Sequence, residues 1–228
     1  MIVLAFDTAT PRTAVALQLD DAQEPRELVH DPAPGERPGH ATQLLALAAR
    51  LLGDARLGFR DVELLGVGVG PGTFTGVRIG VATARALAQA GGTALAGVSS
   101  LAALAVGVDA RDVLAVVDAR RGEAFVAGFR DGEQVLAPAA LAPEALERLA
   151  PPAGGATWLA AGDGAVRFRD ALERAGATVL PDIDPAHRIS AAATCRLARA
   201  AGASPREDVL PIYVRAPDAV MVRRAGGG

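Results

Sequence analysis

Residues 2–6 are a continuous apolar run, a polar turn DTATPR follows, and residues 13–19 form a second strand-like segment, which together read as a β-hairpin. The same device returns in the second half of the chain as residues 113–117, a turn DARRG and residues 124–129. Each hairpin is followed by alternating strand and helix patterns. A chain that opens twice in this way and then alternates is constrained to a duplicated α/β architecture. The expected boundary divides residues 1–108, a first lobe, from residues 109–228, a second lobe whose last segment is expected to pack back on the first.

Within the first half a weaker strand is expected at residues 27–30, followed by a Pro-rich, charged loop over 31–39. A helix then spans residues 40–52, with Leu44, Leu45, Leu47, Ala48, Leu51 and Leu52 on its apolar stripe and Gly53 as its stop. Residues 62–69 read as a buried strand running into GVGPGTFTG and a long helix over 74–90. A strand at 94–97 and a helix after Ser99 complete the unit. The second half adds helices at 143–149, 166–175 and 189–201 and a strand at 157–161.

Composition removes several kinds of chemistry. All 23 basic residues are arginine, so Schiff-base catalysis, pyridoxal phosphate attachment and a Walker-type phosphate loop have no lysine to use. A formal charge of −3 supplies no dominating positive field for a nucleic-acid backbone. The single cysteine, Cys195, has no partner for an internal disulfide and sits in a helical pattern, so it reads as core. The N-terminus lacks the basic segment of a secretory signal. The long uncharged stretch over 86–108 is broken by Gln89, Gly91, Gly92, Ser99 and Ser100, so a cytoplasmic, soluble chain with no membrane partner is expected.

The Gly-rich loop has glycines at 66, 68, 70, 72 and 76, and no register gives the i, i+2, i+5 spacing of a dinucleotide fingerprint. Two readings stand: a helix N-terminus whose free amides hold an anion, or glycines that let strand and helix pack closely. Asp7, Thr8, Ala9 and Thr10 lie where actin-like ATPases and sugar kinases carry a phosphate loop, but Ala9 replaces the glycine of that pattern and puts a methyl where backbone must approach phosphate. Asp7 and Thr10 also suit an ordinary turn. His40 opens the first helix, yet the position one turn on is Leu44, so no two-ligand metal site forms there. GVSSL around Ser99 lacks the closing glycine of a nucleophile elbow.

Missing charge is the most informative feature. Residues 38–53 carry only Arg50, and residues 72–90 only Arg78 and Arg85, whereas the helix over 166–175 has a full charged face. Arg78 and Arg85 are seven apart and share one stripe with no acid on the same helix. Gly76, Gly80, Ala84 and Ala88 make a small-residue track that would admit another helix. High alanine content alone would leave bland exposed surface; the other reading is a protein interface.

Taken together, MIVLAFDTAT, HATQLLALAARLL, GVGPGTFTGVRIGVATARALA, GVSSLAALA, VVDARRGEAF and PIYVRAP resemble the TsaB/YeaZ family of tRNA threonylcarbamoyladenosine biosynthesis. The resemblance implies a two-lobed actin-like ATPase (ASKHA) fold with duplicated βββαβα-type subdomains and no independent catalysis. It implies a scaffold for the paralogous catalytic subunit TsaD, helped by the ATPase TsaE, which modifies the adenosine next to the anticodon of ANN-decoding tRNAs. ATP and metal are expected on the partner subunits and none on this chain, tRNA is met mainly indirectly, and a homodimer is expected when the chain is alone. Carried onto this sequence, the docking surface comprises His40, Leu44, Leu47, Leu51, Phe74, Val77, Arg78, Val81 and Arg85. The degenerate phosphate loop comprises Asp7, Thr8, Thr10, Gly70, Gly72 and Thr73. The rival is a self-sufficient small-molecule kinase or ATPase of the same fold using Asp7, Thr10 and residues 70–75.

Overall fold

The computed structural model describes residues 1–214 apart from Ala22 and Pro34. Strands β1 (Val3–Asp7), β2 (Thr13–Gln18) and β3 (Arg26–His30) form an antiparallel meander. Helix α1 (His40–Asp54), a 3-10 turn at Phe59–Asp61, β4 (Leu64–Gly68), α2 (Phe74–Gly91), β5 (Ala94–Val98) and α3 (Ser100–Val106) follow. The second half repeats the plan with β6 (Asp112–Arg120), β7 (Glu123–Arg130), β8 (Glu133–Leu141), α4 (Pro143–Leu146), β9 (Leu159–Ala161), α5 (Asp163–Arg167), α6 (Arg169–Arg174), β10 (Thr178–Val179) and α7 (Ala191–Ala201).

The two sheets run β3-β2-β1-β4-β5 and β10-β9-β6-β7-β8. Renumbered within its own half, the second order is the first read backwards: the opening strand is central, its hairpin partners lie on one side, and two parallel strands lie on the other. The duplicated two-lobed actin-like architecture is therefore present in the hydrogen-bond pattern. Asp7 and Asp118 pair with Ala14 and Ala124 at equivalent ends of the two hairpins.

Alternation along β6 shows how the layers form. Val113, Ala115 and Val117 join the large core shared with the first lobe, while Leu114 and Val116 join a second cluster with Leu146, Trp158 and Leu172. Helices α1 and α2 cover one face of the first sheet, and α7 covers the other. Helix α3, from the first half, packs instead on β6 and β7. Helices α3 and α7 thus cross between lobes and touch each other. Glu27 of β3 anchors the start of α7, accepting hydrogen bonds from Ser190 Oγ at 3.2 Å and Ala191 N at 2.5 Å. Arg196–Glu24 and Arg199–Asp21 ion pairs continue that attachment.

Some expectations need correction. Helix α1 passes through Gly53 to Asp54, because helical geometry is open to glycine and the stop comes at Ala55. The single helix expected over 166–175 is two short ones, since the backbone at Phe168 leaves helical geometry while its ring is buried. Strand β8 gives no clear signal in the sequence because Pro138 interrupts it; β8 is the sheet edge, where a missing N–H is tolerated. No helix of the described residues is long and apolar enough to cross a membrane.

Candidate functional site

The hairpin loop after β1 turns inward. Asp7 Oδ1 accepts the Ala9 N–H at 2.7 Å, and Ser100 Oγ donates to Asp7 Oδ2 at 2.6 Å while itself accepting the Gly70 N–H at 3.2 Å. Thr8 Oγ1 donates to the Gly76 carbonyl at 2.7 Å, and the Thr73 N–H donates to the Ala9 carbonyl at 2.7 Å. Burial pushes the Asp7 carboxyl above its ordinary value, against the lowering effect of the Ser100 and Ala9 hydrogen bonds. A Cβ at Gly68 would run into the Asp7 carboxylate, one at Gly72 into Ala9, and one at Gly80 would sit 2.5 Å from Thr8 Oγ1. The glycines of this segment therefore serve close packing between the Asp7 hairpin and the start of α2. Asp7, Thr8, Gly70, Gly72 and Thr73 do come together, but Asp7 and the Gly70 amide share Ser100 Oγ, Thr8 Oγ1 bonds Gly76, and the Thr73 amide is already engaged by Ala9.

Thr10 lies elsewhere, on the wall of a cavity of about 320 Å³ between the lobes, with Pro11, Arg12, Asp31, Asp163, His187 and Arg188. Arg12 holds Asp31 through two hydrogen bonds of 2.8 and 2.6 Å and keeps its carboxyl below the usual range. Burial raises the Asp163 carboxyl, whose Oδ1 accepts the Asp118 N–H at 2.9 Å. His187 Nδ1 lies 3.0 Å from both the N–H and the carbonyl of Gly162, and Nε2 lies 3.0 Å from the Pro181 carbonyl. These groups hold the walls together.

Two expectations about histidine and cysteine can now be placed. His40 is buried at the start of α1, with Nδ1 2.8 Å from Thr13 Oγ1 and Nε2 without a hydrogen-bond partner. Burial first, and His30 second, hold its pKa below the ordinary imidazole value. Cys195 is buried, and burial pushes its thiol up to about 12. Among the described residues no group of three or more His, Cys, Asp or Glu side chains could hold a metal ion.

The outer surface of α1 and α2 is the feature that remains open. Phe74, Arg78, Ala82, Ala86 and Ala90 recur every fourth residue of α2 and are all exposed. Leu45, 45% exposed, stands with Ala41 and Ala49 on the outer side of α1. Five residues assigned to the docking surface must be withdrawn from it. His40, Leu44, Leu51, Val77 and Val81 are at most 3% exposed, because they occupy the helix sides that press on the first sheet and the hairpin loop. Leu47 and Arg85 are half-buried at the edge, and Phe74 and Arg78 are outermost. The Gly76, Gly80, Ala84 and Ala88 track is buried too; it admits the protein's own hairpin rather than another helix. The exposed i+4 row lies on the opposite side of α2, and counting from Phe74 instead of Gly76 finds it.

Tyr213 completes this surface; it belongs to the PIYVRAP motif, but nothing in the sequence places it beside Arg78. The Arg78 guanidinium lies 3.7 Å from the Phe74 ring centroid, and its Nε donates to Tyr213 Oη at 2.8 Å. The two rings are 5.7 Å apart. Residue 213 is placed here because the Ile212 N–H donates to the Val69 carbonyl at 2.8 Å, beside the Gly-rich turn. The C-terminal arginines Arg215, Arg223 and Arg224 lie outside the described residues.

A family model, TsaD: tRNA N6-adenosine threonylcarbamoyltransferase, matches residues 36–194. An uncharacterized protein of Mycobacterium leprae is 37% identical over 142 residues, covering 62% of this chain and 39% of that protein. The tRNA threonylcarbamoyladenosine biosynthesis protein TsaB of Escherichia coli is 36% identical over 137 residues, 58% of this chain and 57% of its own length. The chain thus spans about half the length of that TsaB and less of the Mycobacterium leprae protein. Among solved structures, YeaZ from Pseudomonas aeruginosa superimposes with a TM-score of 0.73 at 32% identity, covering 93% of this chain and 99% of that one. Matching at that identity over nearly the whole of a solved relative, on top of the duplicated sheets, places this chain in the TsaB/YeaZ family.

Proposed function

We propose that this chain is a non-catalytic scaffold in the synthesis of threonylcarbamoyladenosine in tRNA, docking a TsaD-type paralogue through the outer face of α1 and α2. The observation that carries the reading is the contrast between faces: a two-helix surface in which arginine is almost the only charge, beside a hairpin loop whose Asp7 carboxylate and Thr8 hydroxyl are bonded internally. Monomeric proteins seldom leave such a surface uncovered. ATP hydrolysis by a TsaE-type subunit, metal and the larger share of tRNA contact belong to the partners, consistent with a chain at −3. The rival reading as a self-sufficient kinase draws no support from the loop, since the Asp7 carboxylate and the Thr73 amide are committed to protein groups and Thr10 lines the cavity beside Arg12 and Asp31.

The test uses exposed positions. Leu45→Asp with Ala82→Asp places two charges on the outer face without disturbing the core. Mixed with the TsaD-type chain of the same genome, the wild type should give the summed mass in light scattering, and cells relying on the variant should lose the modified nucleoside. A variant that binds and supports modification as well as the wild type refutes the docking face.

A further inference from the structure

We infer that the cavity between the lobes is a binding site for a free α-amino acid, held as its zwitterion with the carboxylate toward Arg12 and Arg188 and the ammonium toward Asp163. The site is separate from the outer face of α1 and α2. Its volume of about 320 Å³ lies at the small end of the range of ligand pockets, which suits a molecule of this size. Both lobes build it. Thr10 and Arg12 come from the first hairpin and Asp31 from the loop after β3, while Asp163 opens α5 and His187 and Arg188 end the 3-10 turn Pro185–His187 before α7.

The charges on the wall alternate and balance: Arg12 and Arg188 against Asp31 and Asp163. Arg12 spends Nε and Nη2 on Asp31, which fixes the guanidinium and leaves Nη1 without a partner among the described residues. The Arg188 side chain makes no hydrogen bond or ion pair among the described residues, yet its charge helps to keep the Asp31 carboxyl low, so it stands close to the Arg12–Asp31 fork. A carboxylate in the cavity thus meets two guanidinium donors. Across from them, Asp163 accepts the Asp118 N–H through Oδ1, and Asp118 is itself held by Arg167 at 2.8 Å and Arg120 at 3.2 Å. Burial lifts the Asp163 carboxyl because water solvates its charge poorly there, and a ligand ammonium supplies the missing stabilisation. The Thr10 hydroxyl, unpartnered among the described residues, is left for a polar group of the ligand.

This balance selects against neighbouring chemistries. The several negative charges of a nucleotide would face two acids with one arginine already paired, and a simple amine would leave Arg188 unanswered. The test is calorimetric titration and thermal unfolding of the full chain with each of the twenty common L-amino acids at up to 10 mM, with inorganic phosphate and ADP alongside, followed by the hydroxy acid and the amide of whichever amino acid binds most tightly. At least one amino acid should bind with a Kd of about 1 mM or tighter and raise the melting temperature with its concentration. Its hydroxy acid lacks the ammonium and its amide lacks the carboxylate, so both should bind about tenfold more weakly or worse. Arg188→Gln alters an exposed side chain, and Asp163→Asn keeps an oxygen for the Asp118 N–H; each should weaken binding about tenfold or more. No binding by any amino acid at 10 mM, tighter binding by phosphate or ADP, equal binding by the hydroxy acid or the amide, or an affinity unchanged within about twofold in Arg188→Gln overturns the inference.

Discussion

Replacing Gly76 by alanine adds one methyl where the structure has no room for it. The new Cβ would overlap the Thr8 carbonyl and lie 2.5 Å from Thr73 Oγ1 and 3.2 Å from His40 Nε2. Two of those neighbours belong to the hairpin loop and the start of α1, so relief requires α2 to shift away from both. Forcing a methyl into a packed core costs ~1–3 kcal/mol. The Thr8 Oγ1 to Gly76 carbonyl hydrogen bond, 2.7 Å long, is strained or lost, removing a further ~1 kcal/mol. Alanine's helix preference opposes this by ~1 kcal/mol. The net loss is about 2 kcal/mol, which for a chain of this size lowers the melting temperature by ~4–8 °C. Gly53 is the matched control: it is helical, in α1, with nothing within 4 Å of an added Cβ. There the helix preference acts alone, and Gly53→Ala should raise stability by ~0.5–1 kcal/mol. Thermal and urea unfolding of both variants read the difference directly. If Gly76→Ala is neutral or stabilising like Gly53→Ala, the argument that the hairpin loop dictates this glycine is wrong.

Two further outcomes follow from buried titratable groups. His40 has a folded pKa below its ordinary 6.5, so the stability it contributes is present above that value and is lost as pH falls through the lowered folded value. His40→Gln should flatten the stability profile between pH 7.5 and 5 by at most about 1.4 kcal/mol per pH unit, read from urea midpoints; an unchanged slope removes His40 from the explanation. Cys195, with its thiol pushed up to about 12, should react with a disulfide reagent at pH 8 only as fast as the protein unfolds. Labelling within minutes of a fully folded sample contradicts its burial in the α7 core.

The parts of the fold legible in the sequence are those whose signal is local. Both hairpins announce themselves by an apolar run, an aspartate and a polar stretch, although β6 continues through Asp118 to Arg120 and leaves only Arg121 and Gly122 of DARRG as the turn, and α2 announces itself by its length and the Gly92 stop, which adopts φ 69°. Strand β8 is hidden because its pairing to β7 depends on a partner strand and not on its own pattern, with Pro138 pointing away from a strand. The break at Phe168 is hidden because burial of one ring decides it. Helices α1 and α2 stand out in the sequence by missing charge, but their outward side does not. Both sides of α2 are rows of small or apolar residues, and what separates them is Thr8, 68 residues away in sequence, gripping Gly76. Tyr213 reaches Arg78 across 135 residues, a contact no window of sequence contains.

The location of the partner is the central claim, and hydrogen–deuterium exchange of the intact chain, alone and mixed with the TsaD-type chain of the same genome, measures it most directly. The account predicts new protection over residues 41–50 and 74–86, with the β8 edge and the cavity walls near Thr10 and Arg188 unchanged. Protection confined to that edge or cavity, with α1 and α2 exchanging as in the free chain, would contradict it.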